Sequence, residues 1–513
     1  MQAQTNVEIE GENLYNDQVK KVTYIVGNVI IKHDGVVIQC DSAIRKQKEG
    51  VIEGFGHIFI FQPDTFTLSG GEYLIYEELS KKATVKGKSV ILKDDNMTLL
   101  TTSLNYDMAN QIGYYTEGAD ILNDQNTLKS KRGYYNRRTN VFNFKDNVKL
   151  NGKDYRMEGD TLDYYSSTKT AYFFGPSKII SDENTIVCNY GWYNTNTETA
   201  QFSRGATIHG KKSSIVADSL LYDKKQGLGR GIHNIKLTDS TENFTVYGQR
   251  GWYYQKSSES IVTDKPIAIQ IKDEDTMLLM SDTFYYKSDS TEKFMRAYGH
   301  TAILQKDVQG KCDSMIYNFN DSIISLFKSP ILWSDKNQIT GDTMFIRLKN
   351  GKIDNLRVNG NAFLASEVKP EYYNQISGRK MINNFDSGKL KSVYVEGNAS
   401  SIYYLRDNET DSAEYTGVNK VSCGRMIIEF DSSKVKGIRF YMQPDGKMYP
   451  MNQFPETEKY LSGLDWKPGE KPVKDSFLMR TLRVIPIPVK APDIKLKGKS
   501  KPAKAASKKK KTT

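Results

Sequence analysis

Residues 159–165 read GDTLDYY, and close variants stand at 217–223 (ADSLLYD), 281–287 (SDTFYYK), 312–318 (CDSMIYN) and 341–347 (GDTMFIR). The residue four places after the Asp of the first copy is Tyr164. The same column holds Tyr76, Tyr106, Tyr135, Tyr193, Tyr222, Tyr253, Tyr286 and Tyr317, then Ile346, at steps of 29 to 33 residues. Arg45 fits one turn earlier, and two less regular turns follow around GRKMIN (378–383) and CGRMII (423–428). A sustained period of this length is the signature of a stacked repeat architecture. A second landmark lies between the tyrosines: GNV at 27–29, GHI at 56–58, GPS at 175–177, GHT at 299–301, GNA at 360–362 and GNA at 397–399. Short apolar or aromatic runs flank each one, as in YFFGPSKII, and polar clusters such as LKDDN or LNDQN separate the runs. Strand, bend, strand and tight turn fit this grammar, and no unit carries a 3.6-residue apolar period. The body is therefore expected to be an all-β stack.

Phase within the unit predicts where the strands bend. Ile38, Leu99, Leu128, Met157, Ile186, Ile215, Val246, Leu279 and Ile339 lie three places before the Asp column. The residue immediately before that column is small: Cys40, Gly71, Gly159, Cys188, Ala217, Gly248, Ser281, Cys312 or Gly341. Apolar residues recur two and four places after it, as in Leu162 and Tyr164. Strict alternation would send the residues before and after to opposite faces. A two-sided strand or a bulge at the small residue–Asp step resolves this, and the bulge is the expectation, because a small residue there lets the strand bend between two sheets. Stacking bent units buries an apolar seam that no single unit could bury alone.

Composition narrows the rest. Hydrophobic residues make up 38% of the 513-residue chain, with 32 Tyr and 38 Gly but only 14 Pro, a bias that suits strands and turns. No run approaches the 18 apolar residues of a membrane-spanning helix, which predicts a soluble chain. The net charge of +11 is concentrated in the nine Lys from Lys495 onward; KGKSKPAKAASKKKKTT reads as a disordered basic tail, either simply solvated or drawn to an anionic membrane or lipopolysaccharide surface. Nucleic acid is not an expected partner, since the repeated body has no matching basic concentration. The AQT of the opening MQAQTNVEIE fits the remnant of a cleaved export signal.

Nothing calls for catalysis, a metal or another cofactor. Cys40, Cys188, Cys312 and Cys423 all occupy the small column, several layers apart, beyond disulfide reach, with no C-x-x-C spacing. His57, His233 and His300 sit in the bend column, His209 just past another bend and His33 in a polar turn. Asp41, Asp160, Asp218, Asp282, Asp313 and Asp342 form a column, but the same column accepts Lys131, Asn189 and Gln249, so bend chemistry explains it.

The repeated G-D-x-L-x-Y with its following Gly bend, in register over roughly residues 22–445, resembles the OstA-like family, the LptA-type periplasmic proteins of lipopolysaccharide transport. GLDWKPGEKP at 463–472 resembles the end of a long member. The resemblance implies an elongated β-jellyroll, a V-shaped stack of antiparallel strands whose groove takes lipid A acyl chains while the sugars stay outside. It also implies a non-enzymatic, exported periplasmic carrier of lipopolysaccharide or a related glycolipid. Partners would be LptC-like inner-membrane and LptD-like outer-membrane components, joined by edge-strand addition, with end-to-end self-association. The nine-residue column from Ile38 to Ile339 is the candidate groove lining. If every layer offers a similar surface, a lipid can step along it without a deep trap. Departures are the larger number of repeats than in a short bridge subunit and the lack of the long alternating C-terminal barrel of the outer-membrane translocon.

The expected divisions are a lead-in segment (1–21), regular repeats (22–366), irregular terminal repeats (367–450), a Pro-containing extension or cap (451–494) and the Lys-rich tail (495–513). Two other readings share the period. One is a structural or adhesive β-solenoid with a closed core, such as a parallel β-helix, and the other is a carbohydrate-active enzyme using Trp192 or Trp252. Strand direction separates the first from the jellyroll, and the second needs a non-repeating acidic cluster, which is not found.

Overall fold

The computed structural model describes residues 7–477 and 479, except 64, 95–96, 123–125, 183, 212, 273–274, 388, 407–413 and 432–433. The expected extension beyond 479 and the Lys-rich tail lie outside the described residues. The chain is 73% strand and 3% helix, in a β-jellyroll. Consecutive long strands pair with one another, and where a strand is divided at its bend each half pairs with the matching half of the next; every described pairing is antiparallel. A parallel β-helix is therefore excluded.

Almost every strand is bent near its middle, which splits the stack into two arms. Strand Val22–His33 pairs with Val36–Lys46 as Val26↔Ser42 on one side of the bend and Val29↔Cys40 on the other. Two residues, Gly27 and Asn28, thus oppose the single Asp41. In strands Tyr155–Tyr165 and Thr170–Ser181, Gly175 and Pro176 likewise oppose Asp160. The bend falls at the expected level, and the strand does change face there, since Cys40 and Ala43 are both buried while Asp41 and Ser42 are not. The extra residue, however, belongs to the neighbouring Gly-bearing strand and not to the small residue–Asp step. The reason is conformational: Gly27 and Asn28 adopt φ of +85° and +46°, and Gly56 and His57 +71° and +36°. Gly reaches that left-handed region without steric cost, and Asn tolerates it.

The small column has a different cause from the one expected. It faces inward at the crease where the arms converge. A Cβ on Gly71, Gly248 or Gly341 would come within 2.4, 2.2 or 2.3 Å of Val85, Val262 or Val358. The Asp column closes the bend from outside. Its carboxylates accept hydrogen bonds from bend side chains of the adjacent strand: His57 to Asp41 (2.8 Å), Asn234 to Asp218 (2.7 Å), His300 to Asp282 (2.6 Å) and Asn361 to Asp342 (3.1 Å). All four cysteines are free and buried. Burial pushes the Cys40 and Cys188 thiols up to about 11, so they act as small core residues.

Both ends of the stack depart from the expected divisions. Part of the lead-in already belongs to the sheet, because Glu8–Glu10 and Asn13–Asp17 pair with the two arms of Val22–His33. The terminal repeats follow the same plan with longer arms: Lys352–Lys369, Tyr372–Asp386, Lys389–Arg406 and Tyr415–Asp431 are paired in sequence and bent at the same crease. Longer arms stretch the spacing without changing the architecture.

Residues 451–477 form a strap that runs back across the outer face of one arm. Two buried glutamines hold it. Gln375 donates to Lys459 O and accepts from Leu461 N, both at 2.8 Å, and Gln338 donates to Asp465 O (2.6 Å) and accepts from Lys467 N (2.8 Å). Each amide therefore reads the main chain on both sides of one aromatic residue, Tyr460 or Trp466. Lys459, only 5% exposed, lies 4.0 Å over the Tyr372 ring. Phe477 is fully buried against Ile267 and Ala302. Under the strap this arm is buried on both faces.

Candidate functional site

One arm carries the tyrosine column on its inner face, and the other carries the nine-residue column from Ile38 to Ile339. In the aliphatic arm those nine residues occupy one cross-strand lane, alternating with a partner from each intervening strand. The lane runs Ile31, Ile38, Ile60, Leu68, Leu92, Leu99, Ile121 and Leu128. It continues through Leu150, Met157, Ile179, Ile186, Ile208, Ile215, Leu237, Val246, Ala268, Leu279 and Ile303, and reaches Ile339 through Gly310 and Leu332. The intervening members were missed from sequence, although a signal existed: Ile31, Ile60, Ile179 and Ile303 each stand four residues after a bend glycine.

The lane does not offer the same surface throughout. Ile38, Leu99, Leu128, Met157, Val246, Leu279 and Ile339 are buried among the protein's own side chains. Ile186 and Ile215 are half-buried, as are Leu150, Ile179 and Ile208 beside them. The contiguous half-open section therefore spans four strands, from Ile179 to Ile215, about 14 Å at roughly 4.8 Å per strand, and Leu150 is set apart from it by the buried Met157. Across from it the tyrosine arm opens too. Tyr164, Tyr193, Tyr222 and Tyr253 are half-buried, whereas Tyr76, Tyr106 and Tyr135 are buried. The expectation of alike layers is corrected: flanks filled by the chain's own side chains bracket one accessible stretch.

The arm tips account for the difference. In the sealed N-terminal part, long side chains at the tip of the aliphatic arm cross to the tyrosine arm. His33 Nδ1 lies 2.6 Å from Tyr76 Oη, and the Phe66 and Tyr106 rings are 4.3 Å apart. After the half-open section the bridge returns, with Tyr286 Oη donating to Asp239 at 2.6 Å. Between them the Ser181 hydroxyl bonds the Asn184 backbone within its own turn, and the Gly210 N–H bonds Ser213 O. Tyr155 stands at the upstream margin; its ring sits 6.4 Å from that of Tyr193, and burial pushes its hydroxyl up to about 12.

This geometry offers apolar contact and removal of chain methylenes from water, worth about 0.8 kcal/mol per CH2. Among the described residues no cluster of His, Cys, Asp or Glu could hold a metal ion, and no helix is long and apolar enough to cross a membrane.

A family model for OstA-like proteins matches residues 4–160 and 157–218. A second, for the LptA/(LptD N-terminal domain) LPS transport protein, matches residues 239–352. No curated protein matches the chain. Among solved structures, that of LptH, the LptA homologous periplasmic component of the conserved lipopolysaccharide transport device from Pseudomonas aeruginosa, is similar at 12% identity with a TM-score of 0.11. The match covers 31% of this chain and 76% of that one.

Proposed function

Because the chain belongs to the OstA-like family of lipopolysaccharide-transport proteins, we propose that it is a non-enzymatic periplasmic bridge that holds lipid A acyl chains against its aliphatic lane. The supporting observation is the half-open section between Ile179 and Ile215, where an apolar lane is left partly uncovered by the protein itself. A few acyl chains laid there would remove enough methylenes from water to hold a glycolipid. Of the candidate lining residues, Ile186 and Ile215 are assigned direct contact. The other seven form the packed continuation of the lane.

Assembly in the transport pathway would use the ends of the stack. Among the described residues Asn13–Asp17 pairs only with Val22–His33, and Asp445–Pro450 only with Tyr415–Asp431. Each therefore leaves one side of its backbone for an added strand. LptC-like and LptD-like components, or a second copy, are the partners this chemistry suits.

A photo-crosslinking amino acid at Ile186 or Ile215, in cells making lipopolysaccharide, is expected to capture the glycolipid. Capture confined to the outward-facing neighbours Val187 and Val216 would sink the proposal.

A further inference from the structure

The downstream end of the half-open section is marked by charge as well as by packing. Asp239 stands at the tip of the aliphatic arm, on the same inner face as Ile235 and Leu237, and is 6% exposed. It receives Tyr286 Oη at 2.6 Å and lies 3.0 Å from Lys293 Nζ, both from the tip of the opposite arm. Its other oxygen accepts the Thr241 backbone N–H at 2.8 Å, and Lys293 also reaches Glu242 at 3.3 Å. Burial alone would raise the Asp239 carboxyl; the hydrogen bonds from Thr241, Tyr286 and Lys293 outweigh it and hold the group below the usual carboxylate range. An ionised group is thus fixed inside the mouth of an otherwise apolar trough. The core also divides at this level, one apolar cluster reaching Ile235 and the next beginning at Leu237. Phe244 and Phe319 close in behind the Tyr286 ring, at 6.1 and 6.0 Å.

We propose that Asp239, Tyr286 and Lys293 form a polar stop that ends the accessible lane, so that a bound acyl chain is confined to the section upstream of residue 239. This rests on the carriage reading above and adds a boundary to it. An alkyl chain advancing past Ile215 meets a paired carboxylate and ammonium whose hydrogen bonds it cannot replace, and parting them would strand buried charges. The section then acts as one bounded site, loaded and unloaded through its open side.

The test uses the full chain and a palmitate carrying a diazirine at its chain end, with labelled peptides mapped by mass spectrometry. In the unaltered protein, labelling is expected at Ile186, Ile208 and Ile215 and at background around Leu279 and Ile303. In the combined variant Asp239→Leu, Tyr286→Phe, Lys293→Met, the charges are replaced by apolar groups of similar volume, a change that folded cores often tolerate. Labelling should then extend to Leu237, the lane member that follows Ile215 and lies directly behind the stop. Ile215→Asp places a charge at a half-exposed position and should move the boundary back, leaving label only at Ile186 and upstream. Equal labelling of Leu279 and Ile215 in the unaltered protein would overturn the stop while leaving carriage intact. So would an unchanged map in a combined variant with native circular dichroism. Absence of label from the whole lane would remove carriage and the stop together.

Discussion

The stretch from Val22 to Ser130 and the stretch from Thr170 to Asp223 are written in the same repeat, bent at the same crease and carry the same aliphatic lane. One is sealed and the other stands half open. The lane does not separate them, since Leu68 and Ile186 hold equivalent places. The hairpin tips do. His33 and Phe66 reach across to Tyr76 and Tyr106, while Ser181 bonds the Asn184 backbone within its own turn. The repeat therefore sets where a trough can run, and a few tip residues outside the repeated motif set where it is covered.

The largest test of that contrast is a pair of truncations in one lane. Ile60→Ala removes a fully buried side chain and is expected to cost about 3–4 kcal/mol, transfer and cavity together. Ile208→Ala, at a half-buried position, should cost only about 1 kcal/mol, because part of that surface is already in water. Urea unfolding followed by hydrogen exchange of each section measures both. Equal losses would mean the two sections are packed alike.

A smaller difference is expected at the bends. Gly56 and Gly205 have similar φ, +71° and +82°, but an added Cβ meets the Asp41 carboxylate at 2.1 Å in the first and nothing within 4 Å in the second. Gly205→Ala should cost about 1–2 kcal/mol from the left-handed backbone alone. Gly56→Ala should cost more, because Asp41 must move and loosen its bond to His57. Thermal melts of the two variants rank them.

The smallest effect is that of pH on the sealed end. Burial holds the His33 imidazole below its ordinary value, so the folded state favours the neutral ring. Its contribution is intact above about pH 6.5, where the unfolded group titrates, and declines as pH falls through the lower folded value. Amides of Val22–His33 and Phe66–Glu77 should exchange faster on acidification, while those of Thr199–His209 keep their pH-corrected rate. Uniform loosening would deny the His33–Tyr76 bridge a local role.

Much of the fold was legible because repetition multiplies weak signals. One GDTLDYY says little, but nine tyrosines in register determine period, crease and lane together. The bend was placed at the right level yet credited to the wrong strand, since a phase change along one strand does not show which neighbour supplies the extra residue. Positive φ at Gly27 and Asn28 settles that, and it is written in the G-N pairs themselves. The openness of the lane was not legible. It depends on which tip residue faces which, across arms whose contacts join positions 43 residues apart, as in His33 and Tyr76. The strap was equally hidden, because an amide such as Gln338 shows its buried partners only once residues 465–467 have been brought beside it.

The strap runs opposite to the order in which the strands are laid down, and this bears on biogenesis. A ribosome delivers every strand of the covered arm before it delivers Tyr460, Trp466 or Phe477. Until then Gln338 and Gln375 face solvent along an unfinished wall, and the apolar seat of Phe477 between Ile267 and Ala302 stays bare. Newly made chains must therefore pass through a stage in which the stack is complete but its outer skin is not, and that interval is when a chaperone would find most to hold.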